Sequence, residues 1–169
     1  MSDKDGAGFV AQMQDYLTEL RSIPKSVSPE YSICNTLGRA CGDPRIRGAN
    51  PVSPFVDETA FSQVLRNPDD LSRRGHKIVF THADLNPRNI LVDRVTQPDG
   101  SFAWTVTGIV DWENSGYFPE YWDYTKALFE GFRYRQRLQD FMHDIFKQFG
   151  DLSKEFEVEK RSWEEGDYV

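Results

Sequence analysis

Five polar residues in the middle of the chain have the types and spacing that could do chemistry. His82 stands two residues before Asp84, Asn89 follows Asp84 by five, and Arg88 lies between them. A second acid, Asp111, closes a β-rich segment running from Trp104 to Val110. A carboxylate can orient an attacking hydroxyl and take its proton, while carboxylate and carboxamide oxygens suit a divalent cation. Together these are what phosphoryl transfer asks of a protein. The plainer reading is that Asp84 and Asn89, with Pro87 between them, are turn formers. Against it stand the histidine two residues upstream and the second acid at the end of the following hairpin. Arg88 has two open roles, reaching a phosphate or pairing with Asp111 or a nearby glutamate. His82 suits the bracing of a loop better than proton abstraction.

The elements that must position these groups follow from apolar patterning. Ile78-Val79-Phe80 and Ile90-Leu91-Val92 read as strands on either side of the polar loop. A Thr-Gln-Pro-Asp-Gly turn then returns the chain through Trp104–Val110, so a hairpin brings Asp111 back toward the loop. Upstream, Phe9, Val10, Met13, Tyr16, Leu17 and Leu20 recur at helical spacing, which predicts a helix over 8–21. Residues 22–56 carry Pro24, Pro29, Pro44, Pro51 and Pro54 and read as a long loop with a short strand near Tyr31-Ser32-Ile33. Asp57 is placed to cap a short helix. Pro119 suits the first turn of a helix that includes Trp122 and Asp123 and ends at Gly131. Leu138, Phe141, Met142, Ile145, Phe146 and Phe149 form the most regular helical stripe, stopped by Gly150. Beyond Asp151 a loosely docked last helix is expected. The predicted organisation is a disordered 1–8, a single domain over 9–163 and a flexible 164–169.

Composition narrows the function. A net charge of −7 without a basic patch argues against nucleic acid or an anionic membrane as partner. No apolar run approaches the roughly 20 residues of a membrane span, and MSDKDGAG lacks a signal-peptide core. A cytoplasmic protein is expected. Cys34 and Cys41 lack metal-ligand spacing and read as reduced loop thiols.

His82-Ala83-Asp84-Leu85-Asn86-Pro87-Arg88-Asn89 resembles the H-x-D-x-x-x-x-N loop of aminoglycoside phosphotransferase and choline kinase-like enzymes. Ile109-Val110-Asp111-Trp112-Glu113 is similar to their metal-binding segment. Pro119-Glu120-Tyr121-Trp122-Asp123-Tyr124 resembles the continuation seen in fungal members, as do Leu20-Arg21-Ser22-Ile23-Pro24 and Asp43-Pro44-Arg45-Ile46. The combination is far more specific than any single piece. The resemblance implies Asp84 as catalytic base, with His82 and Arg88 in the catalytic loop and Asp123 supporting its backbone. It implies Asn89 and Asp111 as Mg²⁺ ligands at an ATP site. The fold implied is α+β and mainly helical: the C-terminal lobe of a protein kinase-like fold, with a small β-hairpin region carrying the site.

The residues before His82 show no glycine-rich phosphate loop and no V-A-x-K-like strand. The chain therefore reads as a C-lobe whose N-lobe is missing. Two functions follow. One is an ATP- and Mg²⁺-dependent kinase acting on a hydroxyl of an unidentified small molecule, weak or inactive in this form. The other is a pseudokinase-like binding or regulatory module. The face that an N-lobe normally covers is expected to serve self-association or a protein partner.

Overall fold

The computed structural model describes residues 3–46, 51–68, 70–129 and 135–164. Among these, five α-helices and two small antiparallel sheets form a mixed α/β fold. No described helix is long and apolar enough to cross a membrane.

Helix α1 (Asp3–Ser22) buries Phe9, Met13 and Leu17, one residue per turn on a single face. It starts at Asp3, five residues before the predicted Gly8. Gly6 lies where this end of the helix meets α4 (Gln136–Phe146): a Cβ there would stand 2.6 Å from the Phe141 ring. A glycine that weakens helix propensity thus permits close packing of α1 on α4. Tyr16, predicted to face inward, is largely exposed.

The long loop expected over 22–56 is more ordered than its prolines suggest. It contributes β1 (Cys34–Asn35) and two isolated bridges, Ile33 with Phe55 and Cys41 with Val52. The strand falls just after the expected Tyr31-Ser32-Ile33. Both cysteines are buried and free, and burial pushes the Cys41 thiol up to about 12. Asp57 caps α2 (Glu58–Ser62) by accepting from the Ala60 N–H at 2.7 Å.

Strand β2 (Ile78–Thr81) leads into the polar loop, and a 3₁₀ turn (Pro87–Asn89) leads out into β3 (Ile90–Thr96). Antiparallel to β3 runs β4 (Phe102–Ile109), with a register shift between Leu91 and Val92. The outer side of β4 meets the Gln12 carboxamide, which accepts from Val106 N–H at 3.0 Å and donates to the Trp104 carbonyl at 3.2 Å.

Pro119 does not start a helix. It ends β5 (Gly116–Pro119), the fully buried middle strand of a sheet ordered β1-β5-β2. Lacking an N–H, Pro119 sits at the strand end opposite Ile78, and Glu120 supplies the next donor, to Lys77 O at 2.9 Å. Gly116 is required where β5 meets β1, because a Cβ would stand 2.4 Å from the Cys34 carbonyl oxygen. Helix α3 (Trp122–Phe129) starts after this strand; the predicted end at Gly131 lies outside the described residues.

The core gathers the inner faces of α1, α3 and α4 with aromatic residues of the loops. Trp122 is fully buried, stacked on Phe118 at 5.4 Å and met edge-on by Phe61 at 5.0 Å. A 3₁₀ turn (Lys147–Phe149) finishes α4, and Gly150 at φ 116° stops it. Helix α5 (Ser153–Glu164) is docked more firmly than its mixed composition suggests. Its Glu159 pairs with the buried Arg73 at 2.8 Å, and Val158 is buried beside it.

His76 joins two of these helices. Its Nδ1 meets Glu58 of α2 at 2.6 Å, its Nε2 meets Glu155 of α5 at 3.2 Å, and its ring packs edge-on to Tyr121. Burial alone would lower its pKa, but hydrogen bonds and charge from Glu155 and Glu58 outweigh burial and raise it to about 9. The folded state therefore holds the proton more tightly than the unfolded chain. This stabilisation is complete below about pH 6.5, the unperturbed histidine value, and is lost as pH rises through about 9. Urea denaturation across that range will show falling stability in the wild type and a much flatter profile in His76→Gln.

Candidate active site

The site is built on the link between β2 and β3. At its start the chain must turn sharply, and Ala83 adopts a left-handed φ of 64°. That conformation is held from below by Asp123, which is fully buried in the first turn of α3. Its two carboxylate oxygens accept from the backbone N–H of Ala83 at 2.8 Å and of His82 at 3.2 Å. Burial pushes the Asp123 carboxyl above the usual range, opposed by the charge of Arg21 and by the two N–H bonds.

His82 has no exposed surface and is engaged at both ring nitrogens. Nδ1 accepts from the Asp84 backbone N–H at 3.2 Å, which assigns the proton to Nε2. Nε2 then donates to the Val110 carbonyl at 2.8 Å. Val110 in turn donates its N–H to Asn89 O at 2.9 Å. The histidine and the Asn89 backbone therefore clamp the residue just before Asp111, joining the hairpin end to the loop. Trp112 packs edge-on to the His82 ring at 4.5 Å.

The Asp84 carboxylate lies at the centre, almost entirely buried. Oδ1 accepts from Asn86 Nδ2 at 3.0 Å and lies 3.4 Å from Lys126 Nζ. Oδ2 accepts from Asn89 Nδ2 at 3.1 Å and lies 3.5 Å from the half-exposed Arg88 guanidinium. Arg88 also reaches the Asp84 carboxylate, a contact beyond the two roles open for it in the sequence.

Asn89 commits its Nδ2 donors to Asp84, at the backbone carbonyl as well as at Oδ2. Its Oδ1 accepts no hydrogen bond among the described residues. Asp111 is exposed and sits at a left-handed φ of 69°, a strained backbone for a non-glycine residue. Its carboxylate takes no hydrogen bond or ion pair among the described residues. These are hard oxygen donors without protein partners, a set that fits Mg²⁺ rather than a softer metal. No cluster of three or more His, Cys, Asp or Glu side chains occurs among the described residues. Glu113, another acid of the predicted rim, is exposed in the same turn. Beside Trp112 an apolar cleft of about 530 Å³ opens between α1 and β4, lined by Tyr16, Leu20, Ile23, Val106 and Ile109.

The structure thus brings His82, Asp84, Arg88 and Asn89 together, with Asp111 joined to them through Val110. Sequence reasoning missed Asn86 and Lys126. Asn86 is marked only by sitting two residues after Asp84, as any loop residue might be. Lys126 is three residues after Asp123 and so shares its helix face, a signal readable only once Asp123 is known to face the loop. It also missed the support behind α3. Asp43 and Arg45 form a buried pair at 2.8 Å, with Arg45 stacked 3.6 Å over Trp122 and donating to Thr125 Oγ1 at 2.9 Å. Burial alone would raise the Asp43 carboxyl, but Arg45 holds it below the usual range.

Replacing Asp123 with alanine would strand two buried backbone donors at about 1–3 kcal/mol each. Asp123→Ala should therefore lose about 2–6 kcal/mol of unfolding free energy in urea titration, far more than an exposed change such as Glu113→Ala.

A sequence model of the phosphotransferase enzyme family matches residues 1–157. No curated protein and no solved structure matches the chain.

Proposed function

The chain belongs to the phosphotransferase enzyme family, and on that premise we propose that it is an ATP- and Mg²⁺-dependent phosphotransferase acting on a small-molecule hydroxyl. The observation that carries this reading is the pairing of two oxygen sets. One is a buried carboxylate, Asp84, ringed by donors; the other is Asn89 Oδ1 and the Asp111 carboxylate, oxygens without a protein partner among the described residues. We infer also that the helices and the β3–β4 hairpin correspond to the C-terminal lobe of a protein kinase-like fold.

In this reading Asp84 orients the acceptor hydroxyl and takes its proton, and Asn89 and Asp111 hold Mg²⁺. Bound there, the cation would screen the charge of the nucleotide phosphates. His82 works through geometry: with both nitrogens spent on backbone it cannot be the base, and it ties Asp111 to the loop that carries Asp84. Asp123 fixes that loop from beneath. Leu91, Val110 and Trp112 leave apolar surface exposed around the Asn89–Asp111 pair, which supports the reading because an aromatic base packs on such surface. The acids near the site, Asp111 and Glu113, would favour a cationic acceptor such as an amino alcohol.

A ligand that binds only the folded state raises its stability by mass action, so even weak binding is visible at high concentration. Thermal unfolding with millimolar ATP and Mg²⁺ should shift upward by a few degrees, on the order of 1–2 kcal/mol at ten times Kd. The shift should need the metal and should vanish in Asp111→Ala. An unchanged midpoint in the wild type at saturating nucleotide would sink the assignment.

A further inference from the structure

We propose that Lys126 is a positioning residue for Asp84 and that it selects which carboxylate oxygen works. The inference rests on the phosphotransferase reading above and adds an atom-level assignment to it.

The two oxygens of Asp84 are held differently. Oδ1 faces Asn86 Nδ2 at 3.0 Å and Lys126 Nζ at 3.4 Å. Both partners are buried, and the Lys126 side chain is only 9% exposed. Lys126 is itself carried by α3, one turn after the Asp123 that pins the loop backbone. Side chain and backbone of the loop are therefore referenced to the same rigid helix. A lysine is seldom buried without a compensating charge, and Asp84 is such a charge. Lys126 also acts on the buried Asp43, which Arg45 pairs.

Oδ2 has one buried partner, Asn89 Nδ2 at 3.1 Å, and one outer partner, Arg88, at 3.5 Å. The Arg88 side chain is 50% exposed. A contact that long, to a half-exposed guanidinium, is weak. It is the one partner that an incoming hydroxyl can displace without burying an unpaired group. The working oxygen is therefore Oδ2. The acceptor proton passes to Asp84 Oδ2 as the acceptor oxygen bonds the γ-phosphorus of ATP. The bond from that phosphorus to the bridging oxygen breaks with its electron pair, and ADP leaves. Meanwhile Lys126 and Asn86 keep Oδ1 occupied, so the carboxylate does not rotate at the moment the proton moves.

Two measurements on the full chain test this. The first is crystallographic and needs no turnover: compare wild type, Lys126→Met and Lys126→Arg. In Lys126→Met the Asp84 carboxylate should rotate and lose the Asn86 or Asn89 bond, and Lys126→Arg should restore both. A Lys126→Met carboxylate still bonded to both asparagines would overturn the proposal. The second is ADP release from Mg·ATP with water as acceptor. Lys126→Met should lower kcat by about tenfold or more with KM for nucleotide within about twofold, and Lys126→Arg should recover most of the loss. An unchanged kcat in Lys126→Met also overturns it. If no form releases ADP or binds Mg·ATP, the phosphotransferase reading fails, and the crystallographic comparison still decides what Lys126 does. Urea denaturation of each variant separates loss of fold from loss of position.

Discussion

One buried carboxylate sets the geometry of everything polar in the centre of this protein. Asp123 has no contact with water, and it uses its two oxygens to grip consecutive backbone N–H groups at His82 and Ala83. Those bonds hold Ala83 in a left-handed conformation that an alanine avoids when left to itself. The kink sends Asp84 inward and leaves His82 to bridge across to Val110. Without that anchor the loop would have no reason to keep its shape. The donors around Asp84 come from the loop itself and from α3, so each depends on how those two pieces meet.

The anchor needs a rigid base, and the base is built from buried charge. Arg45 lies flat on Trp122 while binding Asp43 and Thr125, which docks the proline-rich loop against the start of α3. On the far side, Arg73 and Glu159 lock α5 in place, and His76 bridges Glu58 and Glu155. Desolvation of the two arginine–carboxylate pairs offsets much of their Coulombic attraction, so their net contribution to stability is small. Their effect is geometric: each accepts only one arrangement of its partners. Apolar packing of Phe9, Met13 and Leu17 on α4 supplies the driving force; the ion pairs decide the orientation.

Much of this was readable before any coordinates. His82, Asp84 and Asn89 lie within eight consecutive residues, so local spacing alone places them together, and the hairpin pattern carries Asp111 back to them. The amphipathic faces of α1 and α4 were equally plain, because period and burial agree. What escaped depends on contacts distant in sequence. Strand β5 is flanked by Gly116 and Pro119, residues that ordinarily punctuate chains, and its strand character comes from neighbours on both sides. The early part of α1 packs on a ring 135 positions further along, at Phe141, which leaves no room for a side chain at Gly6. Lys126 reads as an ordinary helix lysine until the loop is folded against it.

Gln12 has a consequence that reaches beyond its own helix. A two-stranded ribbon offers open amide groups along both margins, and such margins recruit strands from other molecules. On the β4 side, the Gln12 carboxamide meets the Val106 N–H and the Trp104 carbonyl much as a third strand would. A single side chain thereby stands in for a peptide unit. The helix that carries it also blocks the approach of a foreign backbone, so α1 protects the hairpin from intermolecular pairing while it packs the core.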